Sequence, residues 1–146
     1  WNFKPYGLKF HRHTIEIEEQ LTKISSGRVT IQFTPHLLPI DRGILTSAYL
    51  LPEREINEEQ VVQVYKDFYK NSFFARIVDQ VPEVKNVRGT NFVDIYPNYD
   101  ERTNTILVFS AIDNLVKGAS GEAIQNMNLM FGLKEETGLI QVPIKP

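Results

Sequence analysis

Four short stretches carry side chains whose types and spacing could do chemistry. His11-Arg12-His13 comes first. In an extended stretch, residues two apart share a face, so both imidazoles can point into one cleft with Arg12 opposite. Histidine is the side chain best suited to moving protons near neutral pH, and a helix N-terminus beside it could hold an anion. The pair also reads as two surface histidines next to a helix cap, and a metal site would need a third ligand. Arg88-Gly89-Thr90-Asn91 sets a cation, a hinge and two hydrogen-bonding side chains before a strand. That combination could grip a carboxylate or phosphate, or simply form a turn. Asp41-Arg42-Gly43 repeats the theme more weakly. Lys117-Gly118-Ala119-Ser120-Gly121 is a small-residue turn opening a helix, where a phosphate or another backbone could approach closely. It departs from the dinucleotide fingerprint and also reads as a tight helix entry. Gln125, Asn126 and Asn128 follow it, an amide-rich surface suited to recognition, while Met127 and Met130 read as core packing.

The elements that must position these groups follow from periodicity. A helix is expected from Thr14 to Ser25, capped by Thr14, with Glu16, Glu18 and Glu19 crowding its start and Ile17, Leu21 and Ile24 in one stripe. Val29, Ile31 and Phe33 alternate with polar neighbours, as in a half-buried strand. Pro35 to Pro39 reads as a stiff connector, and Gly43 to Leu51 as a strand buried on both faces. Asn57-Glu58-Glu59-Gln60 is a capping-box pattern with Ile56 placed to staple onto Val61. The helix it opens runs to about Lys70, with Val61, Val64, Tyr65 and Phe68 inward. Phe73 to Val78, Asn91 to Tyr99 and Thr105 to Ala111 read as strands, the last two joined by a hairpin turn over 100–104. A final helix spans Ser120 to Phe131, Gly132 ends it, and an extended tail follows. Strands in runs predict an α+β fold, a mixed and mainly antiparallel sheet with helices on one face.

The 146 residues suffice for one domain with a sizeable core, and the composition is that of a folded globular chain: 42% hydrophobic, 23% charged, one Trp, six Tyr and nine Phe. The absence of cysteine excludes disulfides, thiolate metal sites and thiol catalysis within the chain. A net charge of −2 offers no general basic field for nucleic acid or an anionic membrane. No apolar run approaches the roughly 20 residues of a membrane span, and no signal-peptide pattern is visible. Single features thus define an α+β domain with an anion-friendly cleft and an incomplete catalytic set.

Taken in order, the segments resemble a known family. His11-Arg12-His13-Thr14-Ile15-Glu16-Ile17-Glu18, Phe33-Thr34-Pro35-His36-Leu37, Asp41-Arg42-Gly43-Ile44, Val87-Arg88-Gly89-Thr90-Asn91-Phe92 and Ser110 to Gly121, with Gln125-Asn126-Met127-Asn128-Leu129, are similar to the N-acetyl-gamma-glutamyl-phosphate reductases. These are arginine-pathway members of the superfamily that includes aspartate-semialdehyde and glyceraldehyde-3-phosphate dehydrogenases.

The resemblance implies a glyceraldehyde-3-phosphate dehydrogenase-like C-terminal domain. Residues 1–114 would form the substrate-binding and dimerisation domain, and residues 115–146 a helix and tail packing towards an N-terminal NADP-binding domain. It implies a cytoplasmic, NADP-dependent oxidoreductase acting as a homo-oligomer, dimer or tetramer, with no nucleic-acid or membrane partner and no metal. The nucleophilic cysteine and the glycine-rich fingerprint would lie ahead of Trp1, so this chain alone would be inactive. In the implied cycle a cysteine thiolate displaces phosphate from N-acetyl-glutamyl phosphate, and NADPH reduces the thioacyl enzyme to a thiohemiacetal that collapses to the semialdehyde. Either His11 or His13 would be the acid/base. Tyr6, Arg12, Arg88 and Asn91 would contact the substrate's carboxylate or phosphate, and Gly118, Ala119, Gly121 and Asn126 would lie by the nicotinamide. A non-enzymatic dimerising or ligand-binding module of the same fold, or a related semialdehyde dehydrogenase domain, are the alternatives.

Overall fold

The computed structural model describes residues 2–144; the expected segment ends at Trp1, Lys145 and Pro146 lie outside the described residues. The chain divides into two compact units, Trp1–Asp41 and Arg42–Pro146.

The first unit is built around helix α1 (Arg12–Ile24), with two short antiparallel strands, β1 (Lys4–Pro5) and β2 (His36–Leu37). The helix starts two residues earlier than periodicity predicts because His11, not Thr14, is its N-cap. His11 is extended (φ −68°, ψ 128°) and its side chain accepts from the His13 backbone N–H. The glutamates therefore fall beyond the first turn. Glu18 is instead used sideways: Ile31 N donates to its Oε1 at 3.0 Å, and Val29 N donates to Thr22 Oγ1 at 3.0 Å. The expected strand over 29–33 is accordingly an extended run tied to helix side chains, with no ladder partner. Its alternation survives as burial, for Val29, Ile31 and Phe33 are half-buried and their neighbours exposed. The expected connector instead supplies β2. No residue of α1 is fully buried, so this unit has a thin core.

The second unit is the four-stranded sheet. Its strands are β3 (Ile44–Leu50), β4 (Ala75–Ile77), β5 (Val93–Asp100) and β6 (Thr105–Ile112), in the order β3-β6-β5-β4. All pairings are antiparallel except β4 with β5, so the α+β class and the mainly antiparallel sheet stand as expected. Helix α2 (Glu58–Tyr69) packs on β4 and β5 and opens with the expected capping box, Gln60 N donating to Asn57 Oδ1 at 2.9 Å and Asn57 N to Gln60 Oε1 at 3.1 Å. Its inward line is Val61, Tyr65 and Tyr69. Val64 and Phe68 sit one residue back, about 100° round the helix, and stand exposed rather than inward. Strand β3 also departs from expectation. It is an edge strand flanked only by β6, so Leu45 and Tyr49 remain 53% and 68% exposed instead of buried. Beyond β6, a π-helical turn over Val116–Ser120 leads into helix α3 (Gly121–Met130).

Candidate functional site

In the first unit the two histidines do come together, but through a helix cap rather than a strand. Their rings meet edge-on with centroids 4.9 Å apart. Tyr6 and Phe33 pack edge-on against His11, each at 5.3 Å, so that ring is clamped on three sides by aromatic neighbours. Its Nδ1 accepts the His13 N–H at 3.3 Å, which leaves the ring proton on Nε2. His13 lies in the first helical turn, exposed, and among the described residues neither of its ring nitrogens holds a hydrogen bond. Tyr6 and Arg12 are exposed at the same end of the helix.

In the second unit the organising group is Asp113, which sequence reasoning passed over. Its carboxylate is fully buried, takes three backbone donors and pairs with the Arg42 guanidinium. Oδ1 accepts from Leu115 N (2.8 Å) and Val116 N (2.9 Å); Oδ2 accepts from Gly89 N (2.6 Å) and lies 2.6 Å from Arg42 Nε. Burial pushes the carboxyl up, but the N–H groups of Gly89, Val116 and Leu115, with Arg42, outweigh it and hold the group below its ordinary value of 3.8. The neighbouring Asn114 Oδ1 accepts from Gly43 N at 2.6 Å. A signal existed in the sequence: an aspartate closing a strand two and three residues before a helical turn is a capping pattern.

The remaining candidates divide between buried and exposed. Asn91 is fully buried and its Nδ2 donates to Gln125 Oε1 at 2.8 Å. The same oxygen accepts from Lys117 Nζ at 2.9 Å, and Lys117 also bonds Glu122. Gly121 is buried against this network; a Cβ there would stand 2.3 Å from Asn91 Oδ1 and 2.9 Å from Val116 O. Asn128, expected on a recognition surface, is buried and donates to the carbonyls of Glu135 and Thr137. Gly118, Ala119 and Asn126 are exposed, and Arg88 is half-buried.

The turn's own amides test its fit to a dinucleotide. Leu115 N and Val116 N are taken by Asp113, Gly118 N by Asp113 O, Ser120 N by Leu115 O and Gly121 N by Val116 O. These amides cannot cradle a phosphate. The Gly118-Ala119 surface is exposed, and a Cβ on Gly118 would meet nothing closer than 3.5 Å.

Comparison with known proteins bears on both units. A family model described as semialdehyde dehydrogenase, dimerisation domain, matches residues 1–114. N-acetyl-gamma-glutamyl-phosphate reductase from Caldicellulosiruptor saccharolyticus is 51% identical over 97% of this chain and 41% of its own length. The protein of the same name from Methanocaldococcus jannaschii is 47% identical over 99% of this chain and 42% of its own length. The chain thus spans about two fifths of the length of the curated relatives it matches. Among solved structures, aspartate semialdehyde dehydrogenase II from Vibrio cholerae superposes with a TM-score of 0.71 at 19% identity, covering 90% of this chain and 42% of that one. The chain belongs to the semialdehyde dehydrogenase dimerisation-domain family.

Proposed function

We propose that this chain is the substrate-binding and dimerising part of an NADP-dependent N-acetyl-gamma-glutamyl-phosphate reductase of arginine biosynthesis. The observation that carries the reading is the 47–51% identity, over nearly the whole chain, to relatives of that name. The clamped histidine pair supports it, because reducing an acyl phosphate to an aldehyde needs a group that delivers and recovers a proton at the carbonyl oxygen. The chain has no cysteine, so the thiol that displaces phosphate is supplied by another part of the enzyme. NADPH, when bound, supplies the hydride.

Within this division of labour, His13 moves the proton and His11 positions it. His11 has one ring nitrogen committed to the His13 amide and its ring held by Tyr6 and Phe33, whereas both ring nitrogens of His13 remain available. Tyr6 and Arg12 offer a phenol and a guanidinium beside the histidines, suited to an anionic end of the substrate, and Arg88 is a substrate-contact candidate of the second unit. Asn91 acts indirectly, holding Gln125 and backing Gly121, so that Gly118 and Ala119 present a small, open surface to the nicotinamide. Asn126 is exposed on the same helix and contributes its amide there.

Dimerisation uses the sheet. By register Leu45, Ser47 and Tyr49 of β3 share a face with Ala111, Phe109 and Leu107 of β6 and with Asp94, Tyr96 and Asn98 of β5. At the β3 edge of that face Leu45 and Tyr49 stand exposed, an apolar surface for a second copy to cover. Residues 115–146 serve as the helix and tail directed towards an NADP-binding domain, and the working enzyme is cytoplasmic. Among the described residues, no helix is long and apolar enough to cross a membrane. The test is a chimera joining this chain to the N-terminal portion of the Caldicellulosiruptor relative. It is expected to oxidise NADPH when given N-acetyl-gamma-glutamyl phosphate and to release one phosphate per NADPH. A folded, dimeric chimera without that activity overturns the reading.

A further inference from the structure

We infer that the C-terminal run, residues 139–144, is a strap that fixes one peptide group, the one joining Arg88 to Gly89, with Ile144 as its positioning residue. The inference concerns the second unit alone and stands without the reductase reading.

The peptide group is gripped at both edges. Its carbonyl, Arg88 O, accepts from Ile144 N at 2.9 Å, and its N–H, Gly89 N, donates to the buried Asp113 Oδ2 at 2.6 Å. A peptide group is planar, so turning it over breaks both bonds together. Glycine would otherwise make such a turn cheap. Gly89 sits at φ +77°, and with no side chain it reaches other backbone conformations about as readily. The side chain of Ile144 adds a second hold. A Cβ at Gly89 would stand 2.7 Å from Ile144 Cδ1 and 2.8 Å from its Cγ1, so the isoleucine occupies the space that any other residue at 89 would need.

The strap is fastened upstream of this contact. Asn128 Nδ2 donates to Glu135 O at 3.1 Å and Thr137 O at 3.0 Å. The Glu135 carboxylate accepts from Phe73 N at 3.0 Å and from Gln125 Nε2 at 3.2 Å, and Leu139 is only 3% exposed. Beyond Leu139 the run stands open at Ile140 and Val142, and Pro143 fixes its own φ just before the contact. Ile144 itself is 54% exposed and so adds little to the core. What it supplies is a hold on one peptide group.

That group lies at a junction. Asp113, which takes Gly89 N, also accepts from Leu115 N and Val116 N, at the turn that carries Gly118. Loosening the strap therefore reaches Gly89 first and the 115–118 turn next, and leaves the β5–β6 ladder alone.

The test is amide hydrogen exchange, read residue by residue by NMR on the labelled full chain. Ile144→Pro removes the N–H and keeps apolar bulk. One hydrogen bond changes an opening equilibrium roughly two- to tenfold. Exchange at Gly89 N should rise by that factor, at Leu115 N and Val116 N by less, and in β5 and β6 not at all. Ile144→Val keeps both holds and should exchange like the parent. Unchanged exchange at Gly89 overturns the strap. An equal rise throughout β5 and β6 overturns it too, because residue 144 would then be a general stabiliser. Should Ile144→Pro fail to fold, a chain ending at Gln141 removes the contact without adding a proline, and it must show the same local rise. An inactive chimera beside a local rise at Gly89 would sink the reductase reading and leave the strap standing; an active chimera with no rise at Gly89 would do the reverse.

Discussion

Replacing Asp113 by alanine removes one carboxylate and strands three backbone amides and one guanidinium at once. Arg42 keeps a largely covered guanidinium without its partner, and Gly89, Leu115 and Val116 lose the acceptor of their amides. Breaking a buried ion pair by deleting one member costs about 3–5 kcal/mol. Each amide left dry adds about 1 kcal/mol or more, part of which water entering the vacated space recovers. We expect a loss of about 4–6 kcal/mol, a large share of the roughly 5–15 kcal/mol that holds an ordinary domain together. Urea unfolding followed by circular dichroism measures it directly. Asp113→Asn keeps one acceptor oxygen and should lose about half as much. The pH dependence has a definite sign. The folded carboxyl lies below its ordinary value of 3.8, so the stability it contributes is complete at neutral pH and drains away as pH falls through 3.8 towards the folded value. Asp113→Asn should flatten the acid limb of the stability curve. An Asp113→Ala chain within about 1 kcal/mol of the parent, or an unchanged acid limb in Asp113→Asn, would refute the account of this carboxylate as the unit's polar keystone.

Other outcomes follow from the same geometry. Gly121→Ala drives a Cβ to 2.3 Å from Asn91 Oδ1 and should lower the melting temperature by more than about 5 °C, whereas Gly118→Ala meets only ordinary contacts and should leave it unchanged while raising KM for NADPH in the chimera. Tyr49→Asp sets a charge on the exposed face of β3 and should shift sedimentation from dimer to monomer without altering circular dichroism; an unchanged dimer places the interface elsewhere. His11→Ala removes the α1 cap and should destabilise the first unit by about 1 kcal/mol, while His11→Asn, which can still cap, should restore most of that.

The fold was legible where local chemistry and packing agree. The capping box at Asn57 and Gln60, the hairpin between β5 and β6, and the helix ending before Gly132 were all readable, because each depends on residues a few positions apart. Burial was less so. The apolar run from Ile44 to Leu50 reads as a strand covered on both faces, yet a strand at the sheet edge has neighbours on one side only. Likewise Val64 and Phe68 satisfy a helical stripe, and only the sheet decides which stripe faces inward. At the candidate site, the residue types in His11-Arg12-His13 were visible, but that His11 caps the helix with its own ring nitrogen was not, since histidine is an uncommon cap. Asp113 escaped notice because its partners Gly89 and Arg42 are 24 and 71 residues away in sequence.

Under the proposed function, His13 delivers a proton during reduction of an acyl phosphate. The most direct test of that step is steady-state turnover of N-acetyl-gamma-glutamyl phosphate by the chimera carrying His13→Asn, beside the same chimera carrying His11→Asn. Loss of a positioned proton-transfer group lowers kcat by about 10²–10⁴. The account predicts a fall of that size for His13→Asn and a fall of no more than about tenfold for His11→Asn, with both dimers intact. Full activity in His13→Asn would contradict it.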